Sequence, residues 1–68
     1  MIVEWVNGFE IHVSTDKDAV VISANKEGLL SLAKQFTALA EGKPGDHIHY
    51  DDCNSLEDGS SDMIIEIL

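Results

Sequence analysis

Residues 23–44 read SANKEGLLSLAKQFTALAEGKP, and this stretch decides the fold. Apolar side chains recur in it at the 3.6-residue spacing of an amphipathic helix. The apolar stripe consists of Leu29, Leu32, Ala33, Phe36, Leu39 and Ala40. Lys34 and Gln35 lie off the stripe. The spacing therefore predicts one helix over residues 26–41, about four turns long, which is enough to cover one face of a small sheet.

Both ends of this predicted helix carry the residues that helix termini favour. Either Ser23 or Asn25 can cap the free amide groups at the start, and the acidic Glu27 suits the first turn. Gly42 is placed to end the helix, and Pro44 follows shortly after it.

The chain before the helix predicts a meander of three short strands. Its first segment is β-branched and aromatic, and Asn7-Gly8 directly after it is a strong hairpin signal. The second segment alternates apolar and polar residues, as a half-buried strand does. The predicted strands are residues 2–6, 9–13 and 19–22, with a turn at 14–18.

Two further strands are predicted after the helix, at residues 47–50 and 63–68. Between them lies an acidic loop whose Asp58-Gly59 pair has turn chemistry. The order is thus β-β-β-α-β-β in one domain spanning residues 1–68. We expect a two-layer α+β fold, with a mainly antiparallel five-stranded sheet and one helix on one face.

Strict alternation divides the strand residues between the two faces of this sheet. The face toward the helix carries Val3, Trp5, Phe9, Ile11, Val13, Ile48, Tyr50, Ile65 and Ile67. The open face carries Ile2, Glu4, Val6, Glu10, His12, His47, His49, Ile64, Glu66 and Leu68. Because four of these are aliphatic, the open face, or an edge strand, is a candidate contact surface for a homodimer or a partner. Scattered exposed aliphatic side chains are also ordinary on folded surfaces.

Charge is distributed unevenly along the chain. The 68 residues carry a net charge of -9 and include four lysines and no arginine. No basic residue lies after Lys43, whereas seven acids do: Asp46, Asp51, Asp52, Glu57, Asp58, Asp62 and Glu66. Binding to nucleic acid or to an anionic membrane is disfavoured, because both are polyanions. A basic protein or a metal ion fits the sign, and excess charge also serves solubility alone.

Cysteine usage and hydropathy predict the compartment. One cysteine cannot form an internal disulfide, and no zinc-type Cys/His spacing is present. The start of the chain lacks the pattern of a signal peptide, and no apolar run approaches 18 residues. We therefore expect a cytoplasmic protein without a membrane span.

The His47-x-His49-x-Asp51 spacing suggests a metal site. Alternation places these three side chains on one side of an extended strand, and imidazole with carboxylate suits zinc. The spacing resembles the motif of metallo-β-lactamase-like hydrolases, but Asp52 stands where that motif has a final histidine. A small metal-binding protein is thus one alternative, and two outward-facing polar residues on a strand are another.

Catalysis has little support in the sequence. Cys53 follows two carboxylates, which should raise its pKa and reduce its reactivity as a nucleophile. No nucleophile elbow or phosphate-binding glycine motif occurs, and a chain this small encloses little of a pocket. We predict that the protein is not an enzyme and uses no cofactor.

Recognition of a basic partner is the remaining interpretation of the acidic loop. A dense anionic loop can dock onto a cationic cleft, such as the phosphate-binding active site of a nuclease, and complementary charge speeds that association. The predicted contact residues are Asp51, Asp52, Glu57 and Asp58, flanked by His47 and His49. Trp5, Tyr50, Cys53 and Leu56 are candidate apolar anchors, with Trp5 and Tyr50 also suited to the core.

Several segments carry a resemblance to a known family. They read ISANKEGLLSLA at 22–33, GDHIHYDD at 45–52, NSLEDGS at 54–60 and MIIE at 63–66. Together they resemble immunity family thirty-two of bacterial polymorphic-toxin systems, over most of the chain after residue 20. The His-Ile-His block followed by Asn-Ser-Leu-Glu-Asp-Gly is the most specific part. The resemblance implies a cytoplasmic antidote that binds and neutralises a cognate toxin.

Overall fold

The computed structural model describes residues 3–68 and contains one helix and four strands within them. The elements are β1 (Ile11–Asp16), β2 (Ala19–Ala24), α1 (Lys26–Ala40), β3 (His47–Tyr50) and β4 (Met63–Glu66). β1 pairs with β2 and β3 pairs with β4, both antiparallel, in two separate two-stranded sheets. The fold is α+β with one helix, but the prediction of a single five-stranded sheet is wrong.

The predicted first strand does not form over the residues that can be assessed, 3–6; Ile2 lies outside the described residues. Helix side chains take up the backbone groups that a ladder would have used. Gln35 Nε2 donates to the Glu4 carbonyl over 2.7 Å, and the Val6 amide donates to Ser31 Oγ over 2.8 Å. Gly8 still makes the expected turn, with φ of +87°, but the turn does not join two paired strands.

The hairpin forms at the predicted turn between residues 14 and 18, and not at Asn7-Gly8. β1 extends through Asp16, and a two-residue turn at Lys17 and Asp18 leads into β2, with Asp16 opposite Ala19. Lys17 adopts a φ of +56°, which places its backbone in the left-handed region. The predicted turn at 14–18 is therefore too long, because Ser14 and Thr15 continue the ladder.

The acidic loop, rather than a strand, occupies the second edge of β1. The Glu57 amide donates to the Ile11 carbonyl over 2.9 Å, and the Ser61 amide donates to the Val13 carbonyl over 2.7 Å. The two bonds are two residues apart along β1 but four residues apart along the loop, so a regular ladder cannot form. Between these two bonds, the Ser60 hydroxyl accepts a hydrogen bond from the Val13 amide over 3.2 Å. This irregular pairing separates the two sheets.

The helix forms where it was predicted, but the residues that it buries differ from the predicted apolar stripe. Asn25 is the N-cap, and α1 ends at Ala40 with Glu41 as the C-cap. The buried residues are Gly28, Ser31, Leu32, Gln35 and Leu39. Leu29, Ala33, Phe36 and Ala40 of the predicted stripe are exposed, whereas Gln35 is buried. Among residues 3–68 no helix has the length and hydrophobicity needed to cross a membrane.

The core lies between the helix, the inner faces of both sheets and the loop. It consists of Ile11, Val13, Leu32, Leu39, Ile48, Tyr50, Leu56 and Met63. Trp5, Phe9, Ile65 and Ile67 pack against it, as alternation predicted, but Val3 is exposed. Leu56 and Met63 were not among the predicted core residues. Every buried side-chain nitrogen and oxygen in the described part of the chain has a hydrogen-bond partner.

Candidate partner-binding surface

The acidic loop, residues 51–62, connects β3 to β4 as predicted, and it opens with a capped turn. Asp51 Oδ1 accepts the amides of Cys53 and Asn54, each over 2.9 Å. The Asp51 carbonyl accepts the amides of Ser55 and Leu56 over 3.0 and 2.8 Å. Asp51 is partly buried. It holds the first turn of the loop in shape, because one of its carboxylate oxygens accepts hydrogen bonds from the backbone.

Leu56 fixes the middle of the acidic loop to the body of the protein. Its side chain is 5% exposed and belongs to the core. The residues on either side of Leu56 carry no other apolar group, so this one side chain anchors a polar segment. The backbone bonds of Glu57 and Ser61 to β1 hold the second half of the loop. The acidic loop is a fixed surface feature built around Leu56, which is consequently unavailable as a partner anchor.

Four carboxylates project from this fixed loop into solvent. Asp52, Glu57, Asp58 and Asp62 are all exposed. The segment contains no lysine or arginine that would neutralise them. Asp62 Oδ2 lies 3.2 Å from His49 Nε2, which is an ion pair only in the protonated form of the histidine, and no other acidic and basic side chains within residues 3–68 lie as close as an ion pair requires. The loop therefore presents a concentrated negative charge with its backbone already ordered.

Both predicted flanking histidines are exposed on the outer face of the β3–β4 sheet. His47 lies opposite Glu66, and His49 lies opposite Ile64. The Nε2 atom of His49 is 3.2 Å from Asp62 Oδ2, and the Nδ1 atom of His47 is 3.3 Å from the Gly45 carbonyl. The structure thus brings His49 next to the acidic loop and leaves His47 farther along the strand.

The metal alternative is not supported by this geometry. The strand ends at Tyr50, and the Asp51 carboxylate turns back to cap the loop instead of continuing the alternation. The one group of three potential ligands among the described residues is Asp51, Asp52 and Cys53, whose ligand atoms lie within 4.8 Å of one another. Neither histidine belongs to that group, so His47, His49 and Asp51 do not form a common site.

The electrostatic field of the loop acts on Cys53. The carboxylates of Asp52 and then Asp51 raise the pKa of its thiol above the ordinary value of 9.0, because a thiolate would add a third negative charge beside them. The thiol also lies 3.7 Å from Asp52 Oδ1 and is fully exposed. A raised pKa reduces the thiolate fraction, as the sequence predicted.

A shallow depression of about 230 Å³ borders the loop on the side of the N-terminal segment. It is lined by Val3, Trp5, Ile48, His49, Tyr50, Asn54 and Ser55. Trp5 is half-buried, stacks on Phe9 with ring centroids 4.2 Å apart, and meets Tyr50 edge-on at 6.2 Å. Of the predicted anchors, Trp5 therefore remains partly accessible beside the loop and Cys53 is exposed in it, whereas Tyr50 is fully buried.

Asn54 and Ser55 are residues of this surface that the sequence analysis did not single out. Asn54 Oδ1 accepts the Asp51 amide over 3.2 Å, and its Nδ2 donates to the His49 carbonyl over 3.3 Å. The Asp-x-x-Asn spacing of a reciprocal cap was the signal that could have identified Asn54.

The chain matches the sequence model of a known protein family. The sequence model of the family described as Immunity protein 32 matches residues 19–68, which is more than half of the chain. The chain belongs to the Immunity protein 32 family. No curated protein and no solved structure matches it.

The match to Immunity protein 32 includes most of the fold and all of the acidic loop. It begins at Ala19, the first residue of β2, and continues through the helix, β3, the acidic loop and β4. β1 and the N-terminal segment lie outside the matched residues. The acidic loop and both histidines therefore lie within the matched residues.

Proposed function

We propose that this member of the Immunity protein 32 family binds a cognate bacterial toxin and neutralises it through the acidic loop. The observation that carries the proposal is an ordered loop with four exposed carboxylates and no internal cation, within the residues matched by the family. An ordered loop loses little conformational entropy on binding, so its charge is available for recognition.

The charge of the loop favours a basic partner. Carboxylates on a fixed backbone form charge-assisted hydrogen bonds with Lys and Arg side chains, and complementary potentials raise the association rate. Nuclease active sites are cationic clefts, because they hold phosphate groups. A basic nuclease is therefore the toxin class that we propose, and insertion of the loop would block access of its substrate.

The predicted contact residues differ in what they contribute. Asp52, Glu57 and Asp58 supply free charge, since their carboxylates point into solvent. Asp51 has one oxygen committed to the backbone, so it positions the loop and offers its other oxygen to the partner. His49 flanks the contact directly through its position beside Asp62, and His47 extends that flank along β3.

Neutralisation by occlusion requires no chemistry from the antidote itself. The proposed protein is thus a binding protein, not an enzyme, and needs no cofactor. An antidote of this kind acts where the toxin would attack its producer, and we propose the cytoplasm as its location.

The test is co-expression with the toxin encoded beside the gene for this chain, with cell survival as the readout. The test variant is Asp52→Lys/Glu57→Lys/Asp58→Lys, which leaves the cap at Asp51 intact. The matched control is Glu10→Lys/Asp16→Lys/Glu41→Lys, which changes the net charge equally at exposed positions outside the loop. We expect the wild type and the control to protect and the loop variant to fail.

Each other result has a definite meaning. Death of cells with the wild-type chain would overturn the antidote function for that toxin. Protection by the loop variant would overturn the loop mechanism while leaving the antidote function intact. Equal failure of both variants would show that net charge, and not the loop, is what the toxin recognises. Circular dichroism of both purified variants establishes that they are folded.

A further inference from the structure

Within residues 3–68 the outer edge of β2 is unpaired, and it lacks the features that protect strand edges. β2 pairs with β1 on one side, and no backbone hydrogen bond within residues 3–68 reaches its other side. Its six residues include no charge and no proline, and its register is regular without a bulge. Val20 is 67% exposed and Ile22 is 41% exposed. Such an edge is a template for pairing with another strand.

The hydrogen-bond pattern identifies which backbone groups are free on this edge. The Asn25 amide donates to the Glu10 carbonyl over 3.1 Å, so these two residues form a hydrogen-bonded pair. Because such pairs alternate in an antiparallel ladder, residues 23, 21 and 19 also point their polar groups toward β1. The amides and carbonyls of Val20, Ile22 and Ala24 therefore point outward.

The helix also exposes apolar side chains. Ile22 is opposite the buried Val13, which places it on the face that the helix covers. Ser31 and Gln35 bond to the N-terminal segment, whose Trp5 contacts Tyr50 of β3. The opposite helix flank is centred about 150° around the axis from Ser31 and Gln35. That flank carries the exposed residues Leu29, Ala33, Phe36 and Ala40.

We propose that β2 pairs antiparallel with β2 of a second copy of this chain. The outward groups fit a register with Ile22 opposite Ile22 of the second copy and Val20 opposite Ala24, because this register uses all three outward residues of each strand. The result is a four-stranded sheet with both helices on one face.

The charges at the ends of β2 favour a second copy over an unrelated strand. This register brings Asp18, in the turn just before β2, toward Lys26 of the other copy, the first residue of α1, and the approach occurs twice. Both residues are exposed, and neither belongs to the one ion pair within the described residues. Each chain carries a net charge of -9, so an uncharged edge bounded by two complementary pairs is where two copies can approach.

The first test is sedimentation equilibrium of the full chain without any toxin. The expected mass rises with concentration from 7.4 kDa toward twice that value. Ile22→Lys places two lysines opposite each other at the axis, and we expect it to raise the dissociation constant about tenfold or more. The matched control is Ile64→Lys, at an exposed residue of β4 outside the edge, which should leave the dissociation constant unchanged.

The second test examines the register by charge exchange. Asp18→Lys and Lys26→Asp should each weaken association about tenfold, and the double variant should return it to within about threefold of the wild type. A strictly monomeric wild type, equal weakening by Ile64→Lys, or a double variant no better than the single ones overturns the proposal. Loss of toxin binding by Ile22→Lys with a monomeric wild type would assign the edge to the toxin instead. Because self-association is measured without toxin, its failure leaves the proposed antidote function standing.

Discussion

The hydroxyl group of Tyr50 donates a hydrogen bond of 2.7 Å to Oε1 of Gln35, and both side chains are buried. Gln35 in turn donates from Nε2 to the Glu4 carbonyl over 2.7 Å. One amide side chain therefore joins the helix, β3 and the N-terminal segment. Because this chain of bonds lies in the interior, each polar group in it depends on its neighbour for satisfaction.

Tyr50→Phe removes the donor and leaves Oε1 of Gln35 buried without a partner. We expect the free energy of unfolding to fall by about 1–3 kcal/mol, the cost of an unsatisfied buried acceptor. Urea denaturation followed by Trp5 fluorescence measures the change. Gln35→Met removes the acceptor and its bond to Glu4. In the double variant the second substitution should cost less than it does alone, and strictly additive losses would contradict the coupling.

Burial also raises the pKa of Tyr50 from its ordinary 10.0 to about 12. The unfolded chain therefore loses this proton first as the pH rises. Stability from the protonated phenol is fully present below about pH 10 and is lost progressively up to about pH 12. The loss is on the order of 2 kcal/mol.

The measurement compares unfolding free energies of the wild type and Tyr50→Phe over that pH range, so that other titrating groups cancel. Because Tyr50 is the only tyrosine, its phenolate absorbance also reports its titration directly. A phenolate that forms with a midpoint at the ordinary value, in the folded protein, would contradict the buried hydrogen bond.

Local sequence signals predicted the elements, but not how they assemble. The helix, β3 and the turn at Gly8 were predicted correctly, because caps, periodicity and glycine conformation act over a few residues. The single sheet was wrong, because Ser31, Gln35 and Ser60 satisfy backbone groups that strand pairing would otherwise have used. Such side-chain bonds join distant residues and leave no period in the sequence.

Asn25 is expected to contribute more to stability than Ser23, the other cap candidate. Its Oδ1 accepts the amides of Gly28 and Glu10 over 2.7 and 3.0 Å, and its Nδ2 donates to the Gly8 carbonyl over 3.0 Å. Asn25→Ala should lower the free energy of unfolding by about 1–2 kcal/mol. Ser23→Ala, at an exposed strand position, is the matched control and should change it by less than about 0.5 kcal/mol. Equal effects in thermal denaturation would contradict the assignment of the cap.

Substitution of Gly28 by alanine is expected to lower the stability of the protein, unlike most Gly-to-Ala substitutions in helices. Gly-to-Ala substitution inside a helix ordinarily stabilises by about 1 kcal/mol. Here the new Cβ atom would lie 2.5 Å from the Glu10 carbonyl oxygen and 2.9 Å from Ile11 Cγ1. We expect Gly28→Ala to destabilise by about 1–3 kcal/mol, because backbone must move to admit it. Lys34→Ala, on the exposed side of the same helix, is the control, and a stabilised Gly28→Ala protein would refute the close contact.

The sequence predicts where the candidate surface lies along the chain better than it predicts which of its side chains are free. Composition alone identified the acidic loop, because its five acids, without a lysine or arginine, are visible in the sequence whatever the fold. The role of Asp51 depends on a local turn that ends the alternation of β3, and the burial of Leu56 depends on where the loop packs. Neither the role of Asp51 nor the burial of Leu56 can be read from the sequence. As a result, one carboxylate oxygen of Asp51 and the whole side chain of Leu56 are not free to contact a partner.

Cys53 provides a direct probe of the negative field that the proposed function depends on. Because Asp52 and Asp51 raise its pKa, the thiol should react with a neutral alkylating reagent only as the pH passes above 9.0. Asp52→Asn removes the largest contribution, and we expect a lower midpoint and faster reaction at neutral pH. Glu41→Gln, which removes an equal charge at the end of the helix, is the matched control and should leave the profile unchanged. Added salt should act in the direction of Asp52→Asn, because exposed charges are screened. A wild-type midpoint at or below the ordinary value would show that the loop does not concentrate negative charge around its first turn.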